Sequence, residues 1–217
     1  MKIIKRVITM KSSTLTKKTI YLRFIYLLST MIVVVSFTFP LVNVEAKERQ
    51  STDFSNSQKF NGKNFSVFPK NKKIPVTFKK KIDGDTFRVL LNKKEIKVRL
   101  LLVDTPESVK QGIAVQPFAL EASDFTEKLL VNAKNIDLEF DKGDRTDRYN
   151  RALCYVYVDN KLLQSKLLEN GLARVAFVYK PNTTHLKEFK EVEKQAKIKE
   201  LKIWSKKGYV TKKGFKS

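Results

Sequence analysis

The stretch that most constrains this chain is RLLLVDTPE, residues 99–107. Arg99 precedes Leu100, Leu101, Leu102 and Val103, an apolar run of strand length that a folded protein buries. Asp104 and Glu107 then bracket Thr105-Pro106. Proline has no N–H to give a sheet and pushes the residue before it into extended geometry, so the run ends there. Charged groups therefore stand at the two ends of a core strand, where a rigid scaffold can aim them. A functional site reads this way, and so does a strand with solvated ends; the rest of the chain decides.

Ordered structure is expected from Lys73 onward. Residues 74–78 (IPVTF) lead through Lys79, Lys80, Lys81 and Ile82 into the turn Asp83-Gly84-Asp85. Residues 86–91 make a second strand, Asn92-Lys93-Lys94 a hairpin-type loop, and residues 95–103 a third strand, which together form a meander. Beyond a loop over 106–116, Phe118, Ala122, Phe125 and Leu129 recur at helical spacing. Residues 135–140 and 151–158 read as a fourth and a fifth strand, separated by a charged loop over 141–150. A short helix over 162–170 is stopped by Gly171. Asn182, Thr183 and Thr184 offer caps for a last helix reaching about Trp204, with Leu186, Phe189, Val192 and Ala196 on one face. This order predicts an α+β domain, mainly β, with three helices and a five-stranded barrel as its natural closure.

What surrounds that domain is of a different character. Residues 1–23 carry seven basic side chains and no acid, residues 24–41 are almost wholly apolar, and Val44-Glu45-Ala46 has the small residues of a processing site. Residues 1–46 are therefore expected to be a secretory signal cleaved after Ala46, with an uncleaved anchor as the competing reading. Residues 47–72 are polar and rich in Asn, Ser and Lys, and are expected to be a disordered linker or pro-segment. Residues 206–217 read as a frayed basic tail. The whole chain has a net charge of +22, and +16 remains after residues 1–46 are set aside. Such a charge accompanies a polyanionic partner, nucleic acid or an anionic membrane face. With Cys154 the single cysteine, no internal disulfide can form.

Asp85 follows a glycine turn and Asp104 ends the third strand. Two carboxylates at neighbouring strand ends can share one hard cation, with carbonyls and waters completing its shell. Aspartates capping a turn are the alternative, above all for Asp83. Glu107, held beyond the strand by Pro106, could orient or deprotonate a water. Arg99 and Arg151 stand at strand ends, and a guanidinium fork suits phosphate oxygens. Singly these are ordinary ion-pair partners; together they are the parts needed for attack on a phosphodiester. Tyr149, Phe177 and Tyr179 lie beside Arg148, Arg174 and Lys180, and aromatics interleaved with cations can stack bases while the cations hold the backbone. His185 is the only histidine, so neither a histidine metal cluster nor a histidine-based triad can be assembled.

These segments resemble the staphylococcal nuclease (thermonuclease) family. The likeness is carried by Ile82-Asp83-Gly84-Asp85-Thr86, by residues 99–107, by FDKGDRTDRY at 140–149, by VAFVYKPN at 175–182 and by Ile203-Trp204-Ser205, and it spans residues 73–205. The resemblance implies an OB-fold barrel with three helices. It implies a secreted, calcium-dependent endonuclease that cleaves DNA and RNA at the 5′ P–O bond and leaves 3′-phosphate ends. By position, one Ca2+ would be held by Asp85, Asp104 and the Thr105 carbonyl. Arg99 and Arg151 would grip the scissile phosphate, Glu107 would act on water, and Arg148, Tyr149, Phe177 and Tyr179 would meet the nucleotide. A monomer is implied, with no stable protein partner and membrane contact only through the N-terminal segment.

Three departures from the family pattern stand out. Phe177 replaces a tyrosine, Asn150 stands where glycine is common, and Lys110 is the only cation in a 108–116 loop that is usually lysine-rich. The rival readings are a barrel that binds nucleic acid without cutting it, and a cationic membrane- or wall-binding protein.

Overall fold

One long strand serves two neighbours. In the computed structural model, which describes residues 59–108 and 114–216, β1 (Lys73–Lys81) pairs along its first half with β5 (Ile136–Glu139) and along its second half with β2 (Thr86–Leu91), both antiparallel. A register shift between Phe78 and Lys80 bends it between them. β2 pairs with β3 (Lys94–Leu100) across a two-residue turn, where Asn92 and Lys93 both have positive φ, as a tight hairpin of matching twist requires. β5 pairs with β6 (Ala152–Val158), and a parallel pairing of β3 with β6 closes the sheet. The result is the five-stranded OB-type barrel expected from the sequence. β7 (Lys161–Leu162) extends β6 at the edge.

The three helices are α1 (Ala119–Val131), α2 (Leu163–Glu169) and α3 (Leu186–Ile198). The buried face of α1 runs through Ala119, Ala122, Ser123, Thr126 and Leu130, with Phe125 and Leu129 at its margin; Phe118 caps the helix from the left-handed region and lies outside it. α3 buries Phe189 and Ala196, and Leu186 and Val192 pack beside the core, as its spacing indicates. It ends at Ile198, earlier than the sequence suggests, and the chain re-enters a single 3-10 turn at Lys202–Trp204. Gly171 takes the left-handed conformation past α2, its backbone too close to Leu201 to admit a side chain.

Two segments expected to lie outside the fold belong to it. Within the supposed linker, Phe60, Phe65 and Phe68 are buried and stack on one another and on Phe140 at the end of β5. The Arg145 guanidinium lies over the Phe140 ring and donates to the carbonyls of Phe65 and Phe68, and Asn71 N–H donates to Phe140 O at 2.7 Å. At the other end, the supposed frayed tail folds into a hairpin of β9 (Val210–Thr211) and β10 (Gly214–Phe215), with Tyr209 buried beneath it. The signal expected over residues 1–46 and the first part of the linker lie outside the described residues. Among the described residues no helix is long and apolar enough to cross a membrane.

The loop over 141–151 is locked at its root by Asp141. Its Oδ1 accepts from Lys142 N–H and the Thr184 hydroxyl, and its Oδ2 from Tyr155 Oη–H and Thr184 N–H, at 2.6 to 3.0 Å. One buried carboxylate thus ties the end of β5, β6 and the lead-in to α3. Burial alone would raise its pKa, but these four donors outweigh that and hold it below the ordinary carboxylate range. A depressed folded pKa contributes stability above the unfolded value, near 3.9, that is lost as pH falls through the folded one. Every partner is a donor, so Asp141→Asn, whose amide nitrogen accepts nothing, must break bonds on one side. The expected loss is about 2 kcal/mol at pH 7, shrinking as pH falls below about 3.9 and through the lower folded value. Chemical denaturation of both proteins across pH checks it.

Candidate active site

The apolar run does not continue as one strand. β3 ends at Leu100, Leu101 and Leu102 form a turn with Leu102 at φ +64°, and β4 (Val103–Asp104) pairs in a separate ladder with β8 (Arg174–Val175). Arg99 and Asp104 therefore sit on different strands, contrary to the single strand expected over 95–103. Arg99 itself fastens the turn: its Nη1 donates to Leu100 O at 2.6 Å and to Val103 O at 2.9 Å. Its Nη2 lies 3.0 Å from Asp85 Oδ2 and 3.8 Å from Asp104 Oδ1. The turn brings the guanidinium back between the two carboxylates expected to bind metal. The expectation of a phosphate grip for Arg99 meets a side chain that is buried and already engaged.

The Asp83-Gly84-Asp85 turn completes this cluster. Asp85 Oδ1 accepts from Thr86 Oγ1 at 2.8 Å, and its Oδ2 from Thr105 N–H at 3.2 Å, so Asp85 and Thr105 are joined directly. Gly84 has no alternative here: a Cβ would stand 2.8 Å from Thr105 Oγ1 and 3.0 Å from Ala122. Asp83 caps its own turn and accepts from Ser108 Oγ at 2.6 Å. Burial pushes its carboxyl up to about 7, with the charge of Asp85 and contact with Glu107 adding to the rise and the Ser108 and Gly84 bonds opposing it. Asp104 is also raised, by burial first and then by Asp85, against the pull of Arg174 and Arg99.

Asp85 and Asp104 face the guanidiniums of Arg99 and Arg174, and Asp83, in contact with Glu107, stands beside Asp85. The excess is negative and partly desolvated, the environment that favours a cation. Among the described residues no three His, Cys, Asp or Glu side chains converge as a metal-binding group. The candidate donors are the carboxylates of Asp85 and Asp104 with the backbone carbonyl of Thr105, all hard oxygens, and the Thr105 hydroxyl is buried without a hydrogen-bond partner. This donor set fits a calcium-like ion, whose shell tolerates carbonyls and waters.

Arg99 also borders a cleft of about 650 Å³. Arg148, Tyr149, Arg151, Phe177 and Tyr179 line it, so the structure brings together every residue expected to meet phosphate or nucleotide. Asp85, Asp104, Thr105 and Glu107 are not on its lining, and Arg99 is the link between the two halves. Arg151 is held by Asp147, whose Oδ2 lies 2.6 Å from Nε and whose Oδ1 accepts Arg151 N–H. The Tyr149 ring, 63% exposed, lies under both Arg148 and Arg151. Asn150 has φ +61°, the conformation glycine supplies in the family pattern and asparagine tolerates best among other residues. Lys110 lies outside the described residues.

Sequence reasoning missed three supports. Arg174, noted only as a cation near aromatics, forks onto Asp104 Oδ2 through Nε and Nη2 at 2.9 and 2.8 Å. Gln116 accepts Glu107 N–H at 2.7 Å and donates through Nε2 to Phe215 O of the C-terminal hairpin at 3.3 Å. Tyr209 Oη–H donates to Pro117 O at 2.7 Å. These partners are 9 to 99 residues apart, and no local pattern announces them.

An acidic cluster joined to a cationic cleft on a closed mixed barrel defines the class of this protein. A family model described as "Staphylococcal nuclease homologue" matches residues 97–206, half of the chain, and the chain belongs to that family. It is 53% identical over 148 residues to "Endonuclease YncB" of Bacillus subtilis (strain 168), covering 67% of this chain and 70% of the relative. It is 52% identical over 142 residues to "SPbeta prophage-derived endonuclease YokF" of the same organism, covering 65% of this chain and 48% of that one. It is 44% identical over 124 residues to the "Thermonuclease" of Staphylococcus hyicus, covering 57% of this chain and 72% of the relative.

Proposed function

We propose that this chain is a calcium-dependent endonuclease that hydrolyses DNA and RNA at the 5′ P–O bond and leaves 3′-phosphate ends. The observation that carries the reading is Arg99, whose one guanidinium pairs with Asp85, approaches Asp104 and borders the cleft that holds Arg151. It sets an anion-binding surface against an oxygen-donor cation site. Membership of the nuclease family and the relatives' names support the reaction class, and the resemblance of the motifs supports the bond cleaved and the metal.

The residues divide the work by position. Asp85, Asp104 and the Thr105 carbonyl would hold calcium, which when bound supplies Lewis-acid polarisation of a phosphate oxygen. Glu107, its backbone fixed by Gln116, orients the attacking water and takes its proton. Arg151, oriented by Asp147, stabilises charge accumulating on the phosphoryl oxygens and the leaving oxygen. Arg99 offers the same help once substrate competes with the carboxylates for its fork. Tyr149, Phe177 and Tyr179 present ring faces to bases, which suits a sequence-tolerant enzyme.

A calcium-titrated cleavage assay on the wild-type chain and Glu107→Gln tests this. Wild type should cleave only with calcium, and the variant should lose about 10³-fold in kcat while still binding calcium and a nucleoside 3′,5′-bisphosphate. Binding of nucleic acid without cleavage in the wild type would establish the binding-only barrel instead.

We further propose that the protein is exported, acts as a monomer, needs no stable protein partner, and touches membrane only through its basic and apolar N-terminal segment. N-terminal sequencing of protein from the culture medium should begin at Lys47; recovery of the intact chain in the membrane fraction alone would count against export.

A further inference from the structure

The cleft explains one side of the segment 177–179 and leaves the other unexplained. Phe177, Val178 and Tyr179 are 51%, 43% and 72% exposed, three consecutive large apolar residues in water. A soluble domain rarely leaves such a run uncovered unless something binds it. Phe177 moreover sits at φ +51°, a conformation that is strained for a bulky side chain and held only where its surroundings impose it.

Beside this run lies a second groove of about 500 Å³. One wall is the chain from Arg174 to Tyr179, and the other is the tip of the C-terminal hairpin, Lys212 and Lys213. Phe177 and Tyr179 border both this groove and the cleft, so the two adjoin across that ridge. The lining holds three cations and no carboxylate. Arg174 is committed to Asp104, whereas neither lysine has an acidic partner among the described residues. The hairpin tip is fixed in place: Thr211 Oγ1 accepts Lys213 N–H and donates to Gly214 O, and Phe215 lies against Tyr209 and the Arg174 guanidinium.

We propose that this groove is a second nucleic-acid subsite, built by the C-terminal hairpin, that holds a single-stranded stretch of the polynucleotide leaving the cleft. The inference rests on the nuclease reading and deepens it. Chemistry selects the occupant. Two uncompensated ammonium groups attract phosphodiesters, and exposed ring faces stack on bases that are free only in unpaired strands. A duplex keeps those faces to itself, and an apolar peptide has no use for the lysines. The two lysines lie beyond residue 206, where the span matched by the family model ends, whereas the facing wall, Arg174 to Tyr179, lies within it.

The test compares wild type with the Lys212→Ala/Lys213→Ala variant on a 20-nucleotide oligothymidylate and on a thymidine trinucleotide, with anisotropy binding of the labelled 20-mer as a second readout. The long-strand kcat/KM, taken relative to that for the trinucleotide, should fall about tenfold, and the salt dependence of 20-mer binding should flatten by about one to one and a half phosphate equivalents. Weaker, salt-flattened binding of the 20-mer supports the groove even where no cleavage occurs, and it is then the nuclease reading that fails. Unchanged 20-mer binding and an unchanged long-to-short ratio overturn the subsite while leaving the nuclease reading intact. Equal losses on both substrates overturn it as well, because they place the lysines in the reaction and not in strand binding.

Discussion

The site depends on burying one guanidinium between carboxylates at the closure of a barrel. Removing an ion pair from water costs several kcal/mol per ion, and only good geometry with further hydrogen bonds recovers it. Arg99 has both: two backbone carbonyls accept from Nη1, and Asp85 faces Nη2. This arrangement requires the chain to reverse at Leu101 and Leu102, because a straight strand would carry Asp104 away from Arg99. The parallel pairing of β3 with β6 and the β4–β8 ladder hold the two sides of that reversal. A left-handed leucine is an uncommon cost, accepted here where the surrounding packing imposes it and Leu102 is wholly buried.

Much of this was legible because its parts lie close in sequence. Arg99, Asp104, Thr105 and Glu107 share nine residues, and a DGD turn before a strand marks Asp85. The strands and helices followed from periodicity, and the barrel from their order. The break at Leu102 was hidden because nothing about a leucine in an apolar run distinguishes an extended residue from a left-handed one. The burial of Phe60, Phe65 and Phe68 was hidden because their spacing fits neither a strand nor a helix, and polar neighbours dominate the composition. Arg174 could not be assigned to Asp104 across 70 positions without the fold.

Both terminal additions act on the same barrel. The phenylalanine collar closes over Phe140, next to Asp141 and the loop that carries Arg151, while the hairpin reaches Glu107 through Gln116 and Asp104 through Arg174. The elements that position the candidate catalytic groups therefore extend beyond the segment whose motifs identify the family. The loop that carries Glu107 is supported from outside the barrel, at the point where the chain departs from its resemblance.

The central claim is that the anionic cluster around Arg99 is a cation site held ready, and not an ion network that only stabilises the fold. Calorimetric titration of the folded wild type and of Arg99→Met with calcium tests it most directly. The account predicts one ion per chain in both proteins, bound more tightly by the variant, because a competing positive charge has been withdrawn from between Asp85 and Asp104. A folded wild type that takes up no calcium saturably would contradict it.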